Sequence, residues 1–243
     1  MTQIKNDDVA MKTRDDIQVI TRVASLLEFL SPTSLSIDAQ QAAEVLGVGR
    51  SSAHRYLVSM ERAGMLERTD GSAYQLGPSL VRLGTLALSG LGIVESSGPV
   101  LHALSTEIRG TIVLSVWGGH APVVARVVPD RSRATTVSIE VGRSLDSEAA
   151  QSLLFAAHHG TRIDSNELFE RPIDDSDRAE TTLVARQIYA QGALKAIAVP
   201  VLDRDRHIVA TIAALGFTAS LPDEADDDVI GRLISGARKL QSR

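Results

Sequence analysis

Asp38-Ala39-Gln40-Gln41-Ala42-Ala43-Glu44-Val45-Leu46-Gly47-Val48-Gly49-Arg50-Ser51-Ser52-Ala53-His54-Arg55-Tyr56-Leu57 is the stretch on which the fold turns. Asp38 with Gln41 three residues later has the form of a capping box, so a short helix opens at Ala39 and runs to Leu46, where Gly47 closes it. A second helix follows almost at once, from Arg50 to Ala63, with Ala53, Tyr56, Leu57 and Met60 on one side and Gly64 as terminator. Small residues stand where the two helices must touch, at Ala43 and Ala53, and a glycine stands in the turn. That is the arrangement of a helix-turn-helix, whose second helix enters the major groove of DNA by its first turns. Arg50, Ser51, Ser52, His54 and Arg55 occupy those turns, and no acid falls between Gly47 and Met60. Arginine grips guanine O6 and N7 bidentately, while hydroxyls and open helix amides suit phosphate.

Working outward, an upstream helix begins at Asp16, with Ile17, Ile20, Val23, Ala24, Leu27 and Leu30 at helical spacing until Ser31-Pro32. Downstream, Met65 to Arg68, the turn Thr69-Asp70-Gly71 and Ala73 to Leu76 read as a small hairpin. Beside a recognition helix this hairpin is a wing, which brings Arg68 and Tyr74 to the DNA backbone or minor groove. Residues 15–77 are thus expected to form a winged helix-turn-helix behind a polar arm over 1–14. The plainer alternatives are a three-helix bundle whose Arg50 and Arg55 are merely solvated, and a protein-docking module without specific DNA binding.

Beyond Gly77-Pro78 the expectation is a linker helix over 78–92, hinged at Ser89-Gly90-Leu91-Gly92, and a further helix ending near Arg109-Gly110. From there the period shortens. Strands are expected at Thr111 to Trp117, Val123 to Val128 and Thr135 to Val141, then a helix from Glu148 to His159, an acidic loop, and a helix near Thr181 to Ala190. Two strong strands follow, Lys195 to Leu202 and His207 to Phe217, before a closing amphipathic helix through Val229, Ile230, Leu233, Ala237 and Leu240. The fold class is α+β, with a second domain over 93–243.

Composition narrows the function classes. The 243 residues carry a net charge of −5, and neither half is basic overall, so a DNA reading rests on local placement alone. Aromatic residues make up only 3%, too few for single-strand stacking platforms, which favours duplex DNA. The polar opening and the lack of a long apolar run lead to an expectation of a cytoplasmic protein with no membrane partner. There is no cysteine, hence no disulfide and no thiolate chemistry. No Gly-x-Ser-x-Gly elbow or phosphate loop occurs, and the pair Gly47-Val48-Gly49 lies between helices, so no catalytic residue and no cofactor is assigned. His158 and His159 point in different directions from a helix end and share no ligand spacing with the acids from Asp164 to Asp177, so no metal site is assigned either.

The run from Asp38 to Leu57, continued by Glu61-Arg62-Ala63-Gly64-Met65-Leu66-Glu67-Arg68 and Tyr74-Gln75-Leu76-Gly77-Pro78, resembles the IclR family of regulators. More weakly, Gly192 to Asp203 looks like that family's second signature. The resemblance implies a winged helix, a linker helix and a GAF-like effector-binding domain with a mixed or antiparallel sheet. It also implies a homodimer, commonly paired into a homotetramer, that acts as a repressor on operator DNA and responds to a small-molecule effector. Three departures bear on the effector. Leu145-Asp146-Ser147-Glu148-Ala149-Ala150-Gln151 replaces the family's His-Ala-Thr-Ala-x-Gly-Lys, Ala196 replaces a cysteine, and Ala213 and Leu215 replace two serines. With those polar anchors gone, a larger aromatic or aliphatic effector is expected rather than a small oxoacid. Its candidate contacts are Trp117, Arg143, Glu148, Ala149, Gln151, Arg186 and Lys195 together with Ala196, Ala213 and Leu215. Trp117 has an ordinary core role as its alternative, and the charged residues have a surface one.

Overall fold

The structure, a computed structural model, describes residues 17–132, 135–161, 163, 167–174, 177–223 and 226–241. The expected arm over 1–14 lies outside the described residues, as does Asp164. The chain divides into two compact units between Gly84 and Thr85.

The first unit is built from α1 (Gln18–Phe29), α2 (Ala39–Leu46), α3 (Arg50–Arg62) and the hairpin β1 (Leu66–Arg68) and β2 (Tyr74–Leu76). Local chemistry sets its boundaries. The Asp38 carboxylate accepts from the Gln40 and Gln41 amides at 2.7 and 2.9 Å, and the Gln41 side chain accepts from the Asp38 amide at 2.9 Å. Three orphan donors at the start of α2 are thereby satisfied by side-chain oxygens. Gly47 ends α2 in the left-handed region, φ 62°, where a side chain would be strained. Ala42, Ala43, Ala53, Leu57, Met60, Leu26, Ile37, Leu66 and Tyr74 close a single core. Each large apolar side chain buried there stabilises by about 1.5–3 kcal/mol. Ile37 and Tyr74 exchange backbone hydrogen bonds of 2.8 and 2.9 Å, tying the chain before α2 to the hairpin. Gly77 fits because a Cβ there would come within 2.7 Å of the Leu66 carbonyl carbon.

The chain continues through α4 (Pro78–Gly90). The second unit then comprises α5 (Ile93–Ser96), α6 (Gly98–Ile108), β3 (Thr111–Trp117), β4 (Pro122–Val128), α7 (Ala150–His158), β5 (Leu168–Asp174), β6 (Asp177–Tyr189), β7 (Leu194–Leu202), β8 (Ile208–Phe217) and α8 (Asp226–Gln241). Its six strands form one antiparallel sheet in the order β4-β3-β8-β7-β6-β5. Period-two alternation splits the sheet's side chains between two cores. Ile112, Leu114, Ile197, Val199, Ile212 and Ala214 pack with Leu104 of α6 and with Leu233 and Ile234 of α8. Ala185, Ala196, Ala198 and Ala213 pack with Ala150 and Leu154 of α7.

Two sequence expectations change here. The segment near Thr181 to Ala190 is not a helix but most of β6, and part of the expected acidic loop before it is β5. Thr182 and Val184 are buried on one face while Leu183 and Ala185 meet α7 on the other, a two-sided burial that only pairing with β5 and β7 supplies. Thr135 to Val141 holds no strand. Instead the following residues run along the edge of β4, where Gly142 and Val124, then Val124 and Arg143, share backbone hydrogen bonds of 2.8 and 2.9 Å.

Candidate nucleic-acid interface and effector face

Arg50, Ser51 and His54 emerge along one flank of α3 into a cleft of about 440 Å³ completed by Asp38, Ala39, Arg68, Ser72 and Tyr74. Ser52 and Arg55 emerge on its other flank, beside Val19, Ile20 and Arg22 of α1. All five α3 residues are exposed. Gly49 offers no side-chain cap to α3, so the Arg50 and Ser51 amides point outward at the positive end of the helix dipole. The Asp38 carboxylate, the one acid in the cleft, is engaged by the amides of α2. Cations, hydroxyls and open amides on one convex helix are what a phosphate backbone and base edges require.

The wing departs from expectation. Tyr74 is only 1% exposed and belongs to the core, so its ring is not a DNA contact. Its hydroxyl accepts a 2.7 Å hydrogen bond from Arg68, whose guanidinium also lies 5.2 Å over the Tyr74 ring and 3.7 Å from Glu61. Tyr74 therefore orients Arg68 along the cleft rather than reaching DNA itself. Ser72, in the turn of the hairpin, was not foreseen; only the closed cleft reveals it.

On the second unit, the candidate effector residues separate by strand parity. Ala196 and Ala213 are buried beneath α7, with Leu215 partly buried against the same cluster. Gln151 also faces the sheet, donating to the Thr211 hydroxyl at 3.1 Å, and Ala149 is buried at the head of α7. The Tyr189 hydroxyl accepts from the Ala150 amide at 3.2 Å, and its pKa is raised, first by burial. Trp117 packs edge-on against His159 with centroids at 4.7 Å and against Phe155 at 5.5 Å. Glu148 and Arg143 are exposed in the approach to α7.

Lys195 and Arg186 do not join this group. They project from the opposite face of the sheet, where Lys195 Nζ meets Asp226 at 2.6 Å and Asp223 at 2.9 Å, and Arg186 meets the other Asp226 oxygen at 3.0 Å. Both cations are thus committed to the first turn of α8, and neither is positioned to anchor a ligand under α7. The Lys195 ammonium holds the Asp223 carboxyl below its usual range. Asp226, Asp227 and Asp228 in the first turn complement the α8 dipole, and Asp226 also clamps that helix to β6 and β7. Among the described residues Asp203, Asp205 and His207 gather in the exposed β7–β8 turn, and they offer nothing beyond that proximity.

Residues 19–70 match the IclR helix-turn-helix domain. The HTH-type transcriptional regulator Rv1719 of Mycobacterium tuberculosis is 37% identical over 123 residues, 49% of this chain and 47% of that protein. The HTH-type transcriptional regulator KipR of Bacillus subtilis is 23% identical over 85% of this chain and 88% of its own length. Residues 19–70 thus carry a helix-turn-helix domain of the IclR type. The fold agrees across both units: an IclR homolog of Microbacterium hydrocarbonoxydans, solved in complex with 4-hydroxybenzoate, superposes with a TM-score of 0.68 at 19% identity, covering 92% of this chain and 98% of that one. The matched domain and both relatives are those of transcriptional regulators of this type. Among the described residues no helix is long and apolar enough to cross a membrane.

Proposed function

We propose that this regulator binds a palindromic operator in duplex DNA as a homodimer, through Arg50, Ser51, Ser52, His54 and Arg55 of α3, with Arg68 on the wing. An effector in the second unit changes that affinity, and the unliganded protein acts as a repressor in the cytoplasm. The observation that carries the reading is the exposed, acid-free flank of α3 beside an uncapped helix N-terminus. Dimerisation is supported by apolar side chains left in solvent at Ile17 and Ile20, at the start of α1, and at Val81 and Leu86 on α4, a pattern that marks interaction surfaces. Paired half-sites then double a contact area that one winged helix leaves too small for specific affinity. An aromatic or other mainly apolar effector is favoured by the alanines at 196 and 213, and by the 4-hydroxybenzoate bound to the Microbacterium homolog.

The test is to select the DNA fragments that the purified protein retains, then to titrate them at several salt concentrations. Enrichment of an inverted repeat, with affinity lost in the Arg50→Ala, Arg55→Ala double variant, is the expected result. Wild-type affinity in that variant removes α3 as the reading helix. Sedimentation showing a monomer at micromolar concentration removes the dimer.

A further inference from the structure

The end of strand β3 meets helix α7 through Trp117, and along this seam of the two elements lie buried hydroxyls with no hydrogen-bond partner among the described residues. Ser115 lies on the α7 side of the sheet, two residues before Trp117, because its neighbours Leu114 and Val116 face the core under α6 and α8. Directly across on β8 stands Thr211, already taken by Gln151. Ser115 is 0% exposed, and among the described residues its hydroxyl has no hydrogen-bond partner. On α7 the same is true of Ser152, 7% exposed. Three and seven residues after it, at helical spacing, Phe155 and His159 continue the same edge. Both stack on Trp117. Native folds rarely leave buried hydroxyls unpaired, and each such group calls for a bonding partner that the described residues do not supply. Two of them on the elements that these three rings join supply the ingredients of a small-molecule site, an apolar body with a few placed polar groups.

Charge narrows the ligand. The buried charged residues among those described are Asp130, Lys195 and Asp226. Lys195 and Asp226 are paired with each other on the far face of the sheet, and Asp130 lies beyond the end of β4, bonded to Ser132. Gln151, Thr211, Ser115 and Ser152 are neutral. A carboxylate entering the seam would lose its hydration and find no buried cation in return.

Resting on the reading of this protein as an effector-responsive regulator, we propose that the seam between β3 and α7 is its effector subsite. It takes an uncharged aromatic molecule with one hydroxyl or amide group, held by the Ser115 and Ser152 hydroxyls and by the rings of Trp117, Phe155 and His159. This site is displaced from the Ala196, Ala213 and Leu215 surface, which α7 covers with Ala150 and Leu154. Entry is through the outer rings: Trp117 is 41% exposed and His159 is exposed, so they part without opening either core. Seating a ring there presses on α7, which packs on β6, β7 and β8 and so carries the change into the sheet.

Trp117 is the single tryptophan of the chain, so its emission reports on the seam alone. The full-length protein is titrated with phenol and benzamide as uncharged probes and with benzoate and pyruvate as charged ones, following emission, binding heat and operator affinity together. Phenol or benzamide should shift the Trp117 emission saturably and more tightly than benzoate. Ser115→Ala and Ser152→Ala should each weaken that binding about 3- to 10-fold, the loss of one neutral hydrogen bond. Both variants remove an unpaired buried oxygen, so an unchanged melting temperature will separate lost binding from lost folding. Binding heat with silent Trp117 emission and unaltered affinity in both variants overturns the subsite, as does failure of both uncharged probes to bind or tighter binding of benzoate. Operator release by pyruvate or benzoate with Trp117 silent also overturns the subsite but sustains the effector reading. Probes that fill the seam while operator affinity stays constant overturn the effector reading and keep the seam as a binding site.

Discussion

The same residue types meet opposite fates in the two units of this protein. On α3, Arg50, His54 and Arg55 stand in solvent, and among the described residues no hydrogen bond or ion pair holds their side chains. On β6 and β7, Arg186 and Lys195 are drawn into a cluster with Asp223 and Asp226 in which the Lys195 side chain is wholly buried. A cation can meet a phosphate only if the fold has not already neutralised it. A buried one is held in place because removing its partner leaves an uncompensated charge. The first set is available for binding, and the second fastens α8 to the sheet.

The sharpest way to break this contrast is to cut the clamp. Asp226→Ala leaves the buried Lys195 with only the exposed Asp223 carboxylate and should destabilise the second unit by up to about 3–5 kcal/mol, read as a large fall in its thermal transition, whereas Lys195→Met with Asp226→Asn should recover much of it. A small effect in the single variant would mean that the cluster is solvated. Next in size, Arg50→Ala should cost about 1–3 kcal/mol in operator affinity at a base-reading position, with the thermal transition unmoved. If it proves a phosphate contact instead, all sequences weaken together and the salt slope flattens by about one unit. Stability loss there would show that Arg50 is structural after all.

A smaller effect is expected at Asp38→Ala, which removes the α2 capping box at a cost of about 1 kcal/mol. Circular dichroism melts measure it, and an Asp38→Ser variant should restore most of the loss. The smallest effect is a pH dependence. Burial, then His159 and Arg206, lowers the His158 pKa below its ordinary 6.5. The unfolded chain therefore binds this proton more readily than the folded one, so the stability His158 contributes is present above pH 6.5 and is lost as pH falls below it. Melting temperatures across that window should drop toward acid, and His158→Gln should shallow the drop.

Residues 38–57 made the first unit legible because its determinants are short-range: a capping box, a glycine needing positive φ, and apolar residues at helical spacing. The exposed face of α3 followed directly, since the positions left over from Ala53, Leu57 and Met60 must face outward. The α7 boundaries, β7, β8 and α8 were legible for similar reasons, each carrying its own period. Tyr74 was misplaced because a three-residue strand has too little pattern to say which face is covered, and it is the Ile37 bridge that turns its ring inward.

Strand pairing decided the rest. β6 carries alanine, arginine and glutamine, which suit a helix, and it becomes a strand because β5 and β7 satisfy its backbone on both sides. Lys195 and Ala196 are adjacent in sequence, yet one lies under α8 and the other under α7, since successive strand residues point to opposite faces. Nothing within the strand itself says which helix covers which face. The sequence by itself determined the helices, their caps and the cationic surface of α3, because those depend on neighbours within about four residues. Only the tertiary structure decided which cations are neutralised and which hydroxyls are buried unpaired, because both depend on partners tens of residues away, as with Lys195 and Asp226 or Gln151 and Thr211.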